Sequence, residues 1–461
     1  MAAISQGLVV EQLILTSHRR LENNVLDLLE YYASLEIVED IYSNSITGTL
    51  VLNEIHNLVS SPIDNPWAPG PIIGNETITV VFREANNNIT LDPLSMIVYK
   101  IGSRTLSNTK VQTTVLHLVG KEFVKNATVR VSKSYINKKY SDIVSEVLTE
   151  KILDGEKMLD IETTDKPKNF ILPNWSPYTA INWMASRSIS PTYKGASYMF
   201  FETLNGVSGH FNPTLHFSTL EKLYTLSPVK TLTTTIANVV DQTVEPGKYV
   251  DMNKNRINKY DFDRTFNILD NLKGGMYGNR LIQHDILNKS IEVTDFDYKK
   301  TYTNYEHSET NKGNGRLISA LTQNYTTYPE QNISLYIKNK AMYAGLVQDD
   351  TMKTYIPVRK SQLQQLSNIR ILVTIPGNAS ISVGQSIMLE ITSPKNSPDI
   401  NNSTKVFDTY YAGKFLVTCV RHLISAGAPS HGVYSLSIEL SKDTLDKNPL
   451  TESSLPGGSV Y

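Results

Sequence analysis

The chain has 461 residues, enough for two to four domains of roughly 100–200 residues each. Hydrophobic residues make up 40% and charged residues 19%, and 44 Lys plus Arg balance 45 Asp plus Glu for a net charge of -1. That balance argues against nucleic-acid binding driven by bulk charge, which needs a basic excess, and against disorder, which joins low hydrophobicity to high net charge.

Residues 1–130 read as a first β block. Residues 8–15 have a strand-type pattern, and residues 24–32 suit a short amphipathic turn or helix. Residues 34–42 alternate at Leu35, Ile37 and Glu39, with an apolar flank, and residues 46–52 form a second strand entered through a bend at Gly48. A proline-rich loop runs from Pro62 to Pro71. A turn and strand at 73–82, then strands at 97–101 and 113–119, bring the set to five or six. Short strands at this spacing predict a barrel or sandwich, not a βαβ sheet.

Residues 131–225 read as a small α+β domain. Ile143, Val144, Val147, Leu148 and Ile152 recur at helical spacing, with Ser141 as the expected N-cap. Ser176 caps a second predicted helix and Pro177 takes its first position, where a missing N–H costs nothing. Strands are expected at 198–202 and 216–218.

Residues 226–300 are expected to start a second β block, with a strand pair at 281–287 and 290–293 after a tight bend at 274–278. Residues 301–365 are polar and read as a surface insertion, with a helix near 360–366. Residues 366–445 complete the second block through strands at 369–375, 381–391, 411–420 and 433–440, and Pro376-Gly377-Asn378 marks a turn. Residues 446–461 read as a tail. The fold class expected is mainly β, with two β-barrels flanking an α+β middle domain. The two blocks share text: residues 47–52 resemble 412–417, and Ile73-Gly74 before Ile78 resembles Val383-Gly384 before Ile387. These two elements come in reversed order in the two blocks.

Motifs that carry chemistry are sparse. Gly120-Lys121 and Gly413-Lys414 are followed by Glu122 and Phe415, so neither completes a phosphate-binding loop. Gly313-Asn314-Gly315 lacks a third Gly and a preceding strand for a dinucleotide site. No zinc-protease or nucleophile-elbow motif occurs. His210 with His216, and His422 with His431, lack a third ligand at suitable spacing and read as polar packing. Glu39 and Asp40 are adjacent on a strand and so point to opposite faces, which suits a solvated strand end and not a carboxylate pair across a cleft. Cys419, the single cysteine, excludes an intramolecular disulfide and reads as a small buried hydrophobe. Trp175, Trp183, Tyr198, Phe200 and Phe201 read as core under the helices, and Lys133, Lys138 and Lys139 as a solvated face. No catalytic, cofactor-binding or metal residue and no cofactor is assigned. The start of the chain turns polar at once and no apolar run nears the ~20 residues of a membrane helix, so cytoplasmic synthesis without a membrane anchor is expected.

The residues at 36–43, 46–50 and 71–76 resemble the start of the central baseplate hub subunit of contractile-tailed bacteriophages. Asn174-Trp175-Ser176-Pro177-Tyr178 with Trp183, then Tyr198-Met199-Phe200-Phe201-Glu202, is similar to the middle of that family. Ile375-Pro376-Gly377-Asn378, Val383-Gly384, residues 411–417 and Arg421-His422 resemble its C-terminal barrel. These matches run in order across nearly the whole chain, and the 301–365 segment has none. The resemblance implies a virion protein with two tail-tube-type barrels, related to late control protein D and type VI secretion spike proteins. It implies a homotrimer whose six barrels form a pseudo-sixfold ring. One face of that ring would meet the tail tube or a tube-initiator protein, and the other the central spike trimer. Baseplate wedge proteins would be neighbours, and DNA or a tape measure would pass through the channel. The alternatives are a tail-associated cell-wall hydrolase and a peripheral receptor- or carbohydrate-binding tail protein.

Overall fold

The computed structural model describes residues 8–18, 25–54, 72–84, 89–90, 93–108, 111–153, 157–205, 211–234, 255–286, 288–308, 328–338, 352–391, 408, 411–426 and 433–444. The chain is mainly β, with an α+β middle. Strands β1 (Leu8–Thr16), β2 (Val25–Asp27), β3 (Tyr32–Asp40), β4 (Thr47–Glu54), β5 (Thr77–Glu84), β6 (Ile89–Thr90), β7 (Leu94–Asn108) and β8 (Val111–Gly120) come first. The expected turn or helix at 24–32 is instead β2, paired with β1, followed by a turn in which the Tyr31 N–H donates to Leu28 O. Alternation decides the faces: Leu35, Ile37 and Glu39 on β3, and Leu50 and Leu52 on β4, are buried.

The middle unit holds α1 (Lys121–Thr128), β9 (Val131–Lys138), α2 (Tyr140–Val147), β10 (Met158–Ile161), β11 (Lys168–Trp175), α3 (Pro177–Ala185), β12 (Met199–Asn205), β13 (Phe211–Ser218) and α4 (Leu220–Thr225). Helix α2 continues as a π turn over Leu148–Ile152. It starts one residue before the expected cap: Lys139 is the N-cap, and Ser141 lies buried in the first turn with its N–H donating to the Thr164 hydroxyl. Ser176 and Pro177 take the positions expected of them. Strand β12 is a shared wall. Met199 and Phe201 pack into the large core of the main sheet, while Tyr198 and Phe200 join the core of the middle unit with Phe170, Ile181 and Phe217.

The rest comprises β14 (Pro228–Thr233), β15 (Lys259–Thr265), β16 (Gly278–Asp285), β17 (Ser290–Asp297), β18 (Ile333–Ile337), β19 (Ile369–Pro376), β20 (Ser386–Glu390), β21 (Gly413–Ser425) and β22 (Val433–Lys442), with helices at Ile268–Gly274 and Met352–Leu366. The bend after the first of these helices is a left-handed cap at Gly275, φ 76°. The strand pair expected at 281–293 is present as β16 and β17. With β18 it forms a separate three-stranded sheet, because β18 takes the second edge of β16. The polar 301–365 stretch contributes to a third core: Tyr302, Met352, Tyr355 and Val358 are buried with Met276 and Tyr298. The expected strand at 381–391 is shortened to Ser386–Glu390, since left-handed Gly384 (φ 82°) turns the chain just before it.

Fourteen strands among the described residues form one sheet around a continuous core. Its two halves have the same order. The first runs β3-β4-β8-β7-β5-β1 and the second β15-β19-β22-β21-β20-β14. Chain order matches as well, so β3 corresponds to β15, β4 to β19, β5 to β20, β7 to β21 and β8 to β22. Small irregularities repeat too. The β7–β8 ladder skips Tyr99 after Val98, and the β21–β22 ladder skips Thr418 after Val417. Left-handed Gly74 (φ 110°) precedes β5 as Gly384 precedes β20. One pairing departs: β1 runs antiparallel to β5, whereas β14 runs parallel to β20. This correspondence keeps the Gly74–Gly384 match. It corrects the match of 47–52 to 412–417, because β4 answers to β19 and not to β21.

Candidate functional site

The two halves meet where β3 pairs antiparallel with the second half of β21, from Cys419 opposite Asp40 to Ser425 opposite Ser34. Strand β21 changes partner along its length. Residues Gly413 to Leu416 pair with β20, and the strand turns to β3 after the bulge at Thr418. There the Thr418 hydroxyl donates to Glu439 Oε1 at 2.8 Å and the Ile41 N–H to Thr418 O at 2.9 Å.

A buried polar cluster fastens this joint. Glu39, expected at a solvated strand end, is fully buried, because alternation on β3 puts it on the same face as Leu35 and Ile37. Its Oε1 lies 3.0 Å from His422 Nε2, and its Oε2 accepts from the Ser382 hydroxyl and, at 3.3 Å, from the Val383 N–H. His422 Nδ1 lies 2.8 Å from the Tyr434 hydroxyl, and burial pushes that phenol far above its ordinary value. On the opposite face Arg421 makes a bidentate contact with Glu36 at 2.8 and 2.7 Å. Cys419 is half-buried, and burial pushes its thiol up to about 12. Asp40 accepts from the Tyr42 N–H at 2.8 Å.

A second cluster ties the middle unit to the β3–β4 turn. Lys157 bridges Glu122 and Glu202, all three buried. Glu202 Oε2 accepts from the Ser45 hydroxyl and the Ile46 N–H, each at 3.0 Å.

Two His arrays have the composition of hydrolytic sites without the geometry. His216 Nδ1 lies 3.2 Å from Asp160 Oδ2 and Nε2 lies 2.8 Å from Thr203 Oγ1, but Thr203 is fully buried and its hydroxyl donates to Asn205 O at 2.6 Å. Asp160 is held down at about 2 by its contact with His216 and by Lys222. His307 Nδ1 lies 2.6 Å from Asp443 Oδ2 and Nε2 lies 2.9 Å from Tyr302 O, while the Ser308 hydroxyl bonds Asp443 and not the imidazole. A general base needs a ring nitrogen facing its nucleophile, and His307 has both nitrogens engaged elsewhere.

The His307–Asp443 pair gives a pH prediction. Burial opposes the imidazolium, but the Asp443 charge and hydrogen bond outweigh it and hold the His307 pKa above its ordinary 6.5. Burial likewise opposes the carboxylate, and His307 outweighs it, so Asp443 sits below its ordinary 3.8. The His contribution is therefore complete below 6.5 and fades as pH rises through the folded value. The Asp contribution is complete above 3.8 and fades as pH falls through the folded value. Asp443→Asn is expected to cost about 3 kcal/mol between those limits and less at higher pH, checked by urea melts across pH.

Other expected positions are now placed. Lys133 and Lys138 both contact Glu146, whose carboxyl they lower, on an exposed face. Trp183 is half-buried and stacks on Phe170 with ring centroids 5.7 Å apart, and Trp175 packs on Trp183 at 5.6 Å. Tyr198, Phe200 and Phe201 are buried core. His210, His431 and Gly313 to Gly315 lie outside the described residues. No group of three or more His, Cys, Asp or Glu among the described residues is arranged to hold a metal, and no described helix is long and apolar enough to cross a membrane.

No family model and no curated protein matches the sequence. Solved structures do match in fold. The 43 kDa tail protein of prophage MuSo2 from Shewanella oneidensis superposes with a TM-score of 0.51 at 7% identity, over 94% of this chain and 99% of that one. The chain has a phage tail-protein fold. The tail protein from Neisseria meningitidis MC58 gives 0.49 at 9% identity, over 95% and 97% of the two chains. The Escherichia coli c3393 protein, a component of the type VI secretion system, gives 0.41 at 8% identity, over 94% and 76%. At such identities what the chains share is topology.

Proposed function

We propose that the chain is a structural hub protein of a contractile phage tail without catalytic activity. Three copies form a pseudo-sixfold ring that joins the sixfold tail tube to the threefold central spike and leaves a channel for DNA. The observation that carries this reading is the repeat of one strand order in two halves that lie edge to edge in one chain. Each half then acts as one tube-type barrel, and three chains supply six. A fold shared with a prophage tail protein supports the tail assignment. The two His arrays support a non-catalytic role: Thr203 beside His216 is buried and donates its hydroxyl to Asn205 O, and both ring nitrogens of His307 are engaged away from Ser308.

The purified full chain is expected to have the mass of a trimer by native mass spectrometry, and negative-stain images to show an annulus with a central hole. A compact monomer or an elongated fibre at every concentration overturns the proposal. Turnover of peptidoglycan that is lost on a single carboxylate substitution would replace it with a hydrolase.

A further inference from the structure

We propose that the outer edge of β15 in one copy pairs with the open half of β7 in the next, repeating between chains the joint that β3 and β21 make within one. This rests on the ring reading above and names the strands that close it. In the correspondence of the two halves, β21 answers to β7 and β3 answers to β15. The second half of β21 is covered by β3. Its counterpart, β7 from Tyr99 onward, pairs among the described residues with β8 alone. The counterpart of β3 is β15, which pairs among the described residues with β19 alone and ends the sheet. The chain therefore carries one joint made and the two halves of a second one open. Exposed sheet edges are hazards that proteins cover, and a head-to-tail contact between unlike edges builds a ring when the rotation closes.

The register follows from the rungs. Leu436 on β22 faces His422, and Thr114 on β8 faces Arg104. Ser435 faces Leu423, and Thr113 faces Thr105. On the other partner, Leu50 faces Leu35 as Val373 faces Tyr260. Within the chain Leu423 lies opposite Glu36 and Ile424 opposite Leu35. Between chains this places Thr105 opposite Asp261 and Leu106 opposite Tyr260. The burial fits. Ile424 and Leu35 are 2% and 0% exposed inside the finished joint, whereas Leu106 and Tyr260 are 69% and 42% exposed. Two large apolar side chains thus stand in water at the positions whose counterparts are core.

The test uses the full chain with Leu106→Cys and Tyr260→Cys together and a short thiol cross-linker, with the parent carrying native Cys419 as the background. Covalent species up to a closed trimer are expected from the double variant and not from either single one. Leu106→Asp and Tyr260→Lys are each expected to weaken trimer association about tenfold or more, and the two together, now of opposite charge, to recover most of it. Ile136→Asp, at an exposed position on β9, is expected to leave association unchanged. A native mass of three chains with no cross-link and no effect of Leu106→Asp overturns this strand pairing and leaves the ring standing. A chain that stays monomeric at every concentration overturns both.

Discussion

Glu39→Ala is expected to lower the melting temperature by about 3–5 °C, the largest single effect at the joint between the two sheet halves. The carboxylate is fully buried, and it is the acceptor for the Ser382 hydroxyl and the Val383 N–H as well as the contact of His422 Nε2. Removing it leaves those groups without a partner in a place that water does not reach. Each orphaned group costs about 1–3 kcal/mol, more when charged, so about 3–5 kcal/mol is the expected sum. Glu39→Gln keeps one acceptor oxygen and is expected to cost about half as much. Arg421→Ala is the contrast. Its contact with Glu36 is bidentate, but the arginine side chain is 50% exposed, and an exposed pair contributes about 0–1 kcal/mol. Thermal melts of the three variants check the ranking. If Glu39→Ala melts with the parent, the buried cluster does not hold the halves together.

The strands of the main sheet were legible wherever one face is buried. Leu35 and Ile37 on β3, Leu50 and Leu52 on β4, and the alternating residues of β19 and β22 carry the period of two that a half-buried strand imposes. The π turn after α2, the β2 hairpin and the helix over Met352–Leu366 were not legible in full, because local pattern is weak there and packing decides. The helix carries Pro357 in its interior and three buried polar residues, Ser361, Gln362 and Gln365, so its apolar stripe is thin. Glu39 was misplaced for a related reason. A carboxylate on a strand reads as solvated unless its partners are known, and His422 lies 383 residues away in sequence. His307 with Asp443, and Lys157 with Glu122 and Glu202, escaped notice on the same ground. Charged groups that meet across 136, 35 and 45 residues leave no spacing to read. The correspondence of the two halves was half visible, since the glycine before β5 and β20 survives in the sequence while the β4 text happens to resemble the start of β21.

Lys157→Met is expected to destabilise the chain by about 3–5 kcal/mol near neutral pH, with much of that loss recovered in mild acid. Lys157 sits between two buried carboxylates, one from α1 and one from β12, and Glu202 in turn accepts from the Ser45 hydroxyl and the Ile46 N–H at the β3–β4 turn of the main sheet. Burial disfavours the ammonium, but Glu202 and Glu122 outweigh it and keep its pKa above the ordinary 10.5. Its contribution is therefore complete at neutral pH and lost only as pH rises through that higher value. Without the lysine, Glu122 and Glu202 face one another out of water. Like charges and burial both favour the protonated acid, so the folded variant binds protons more tightly than the unfolded chain, and its stability climbs as pH falls. A neutral side chain of similar length keeps the packing, which separates charge from volume. Urea melts at about pH 8 and about pH 5 read the sign directly: the gap between variant and parent narrows at the lower pH. A gap that is the same at both would assign the loss to packing alone. Glu122→Gln with Lys157→Met then removes one of the two repelling charges and is expected to be more stable than Lys157→Met by itself.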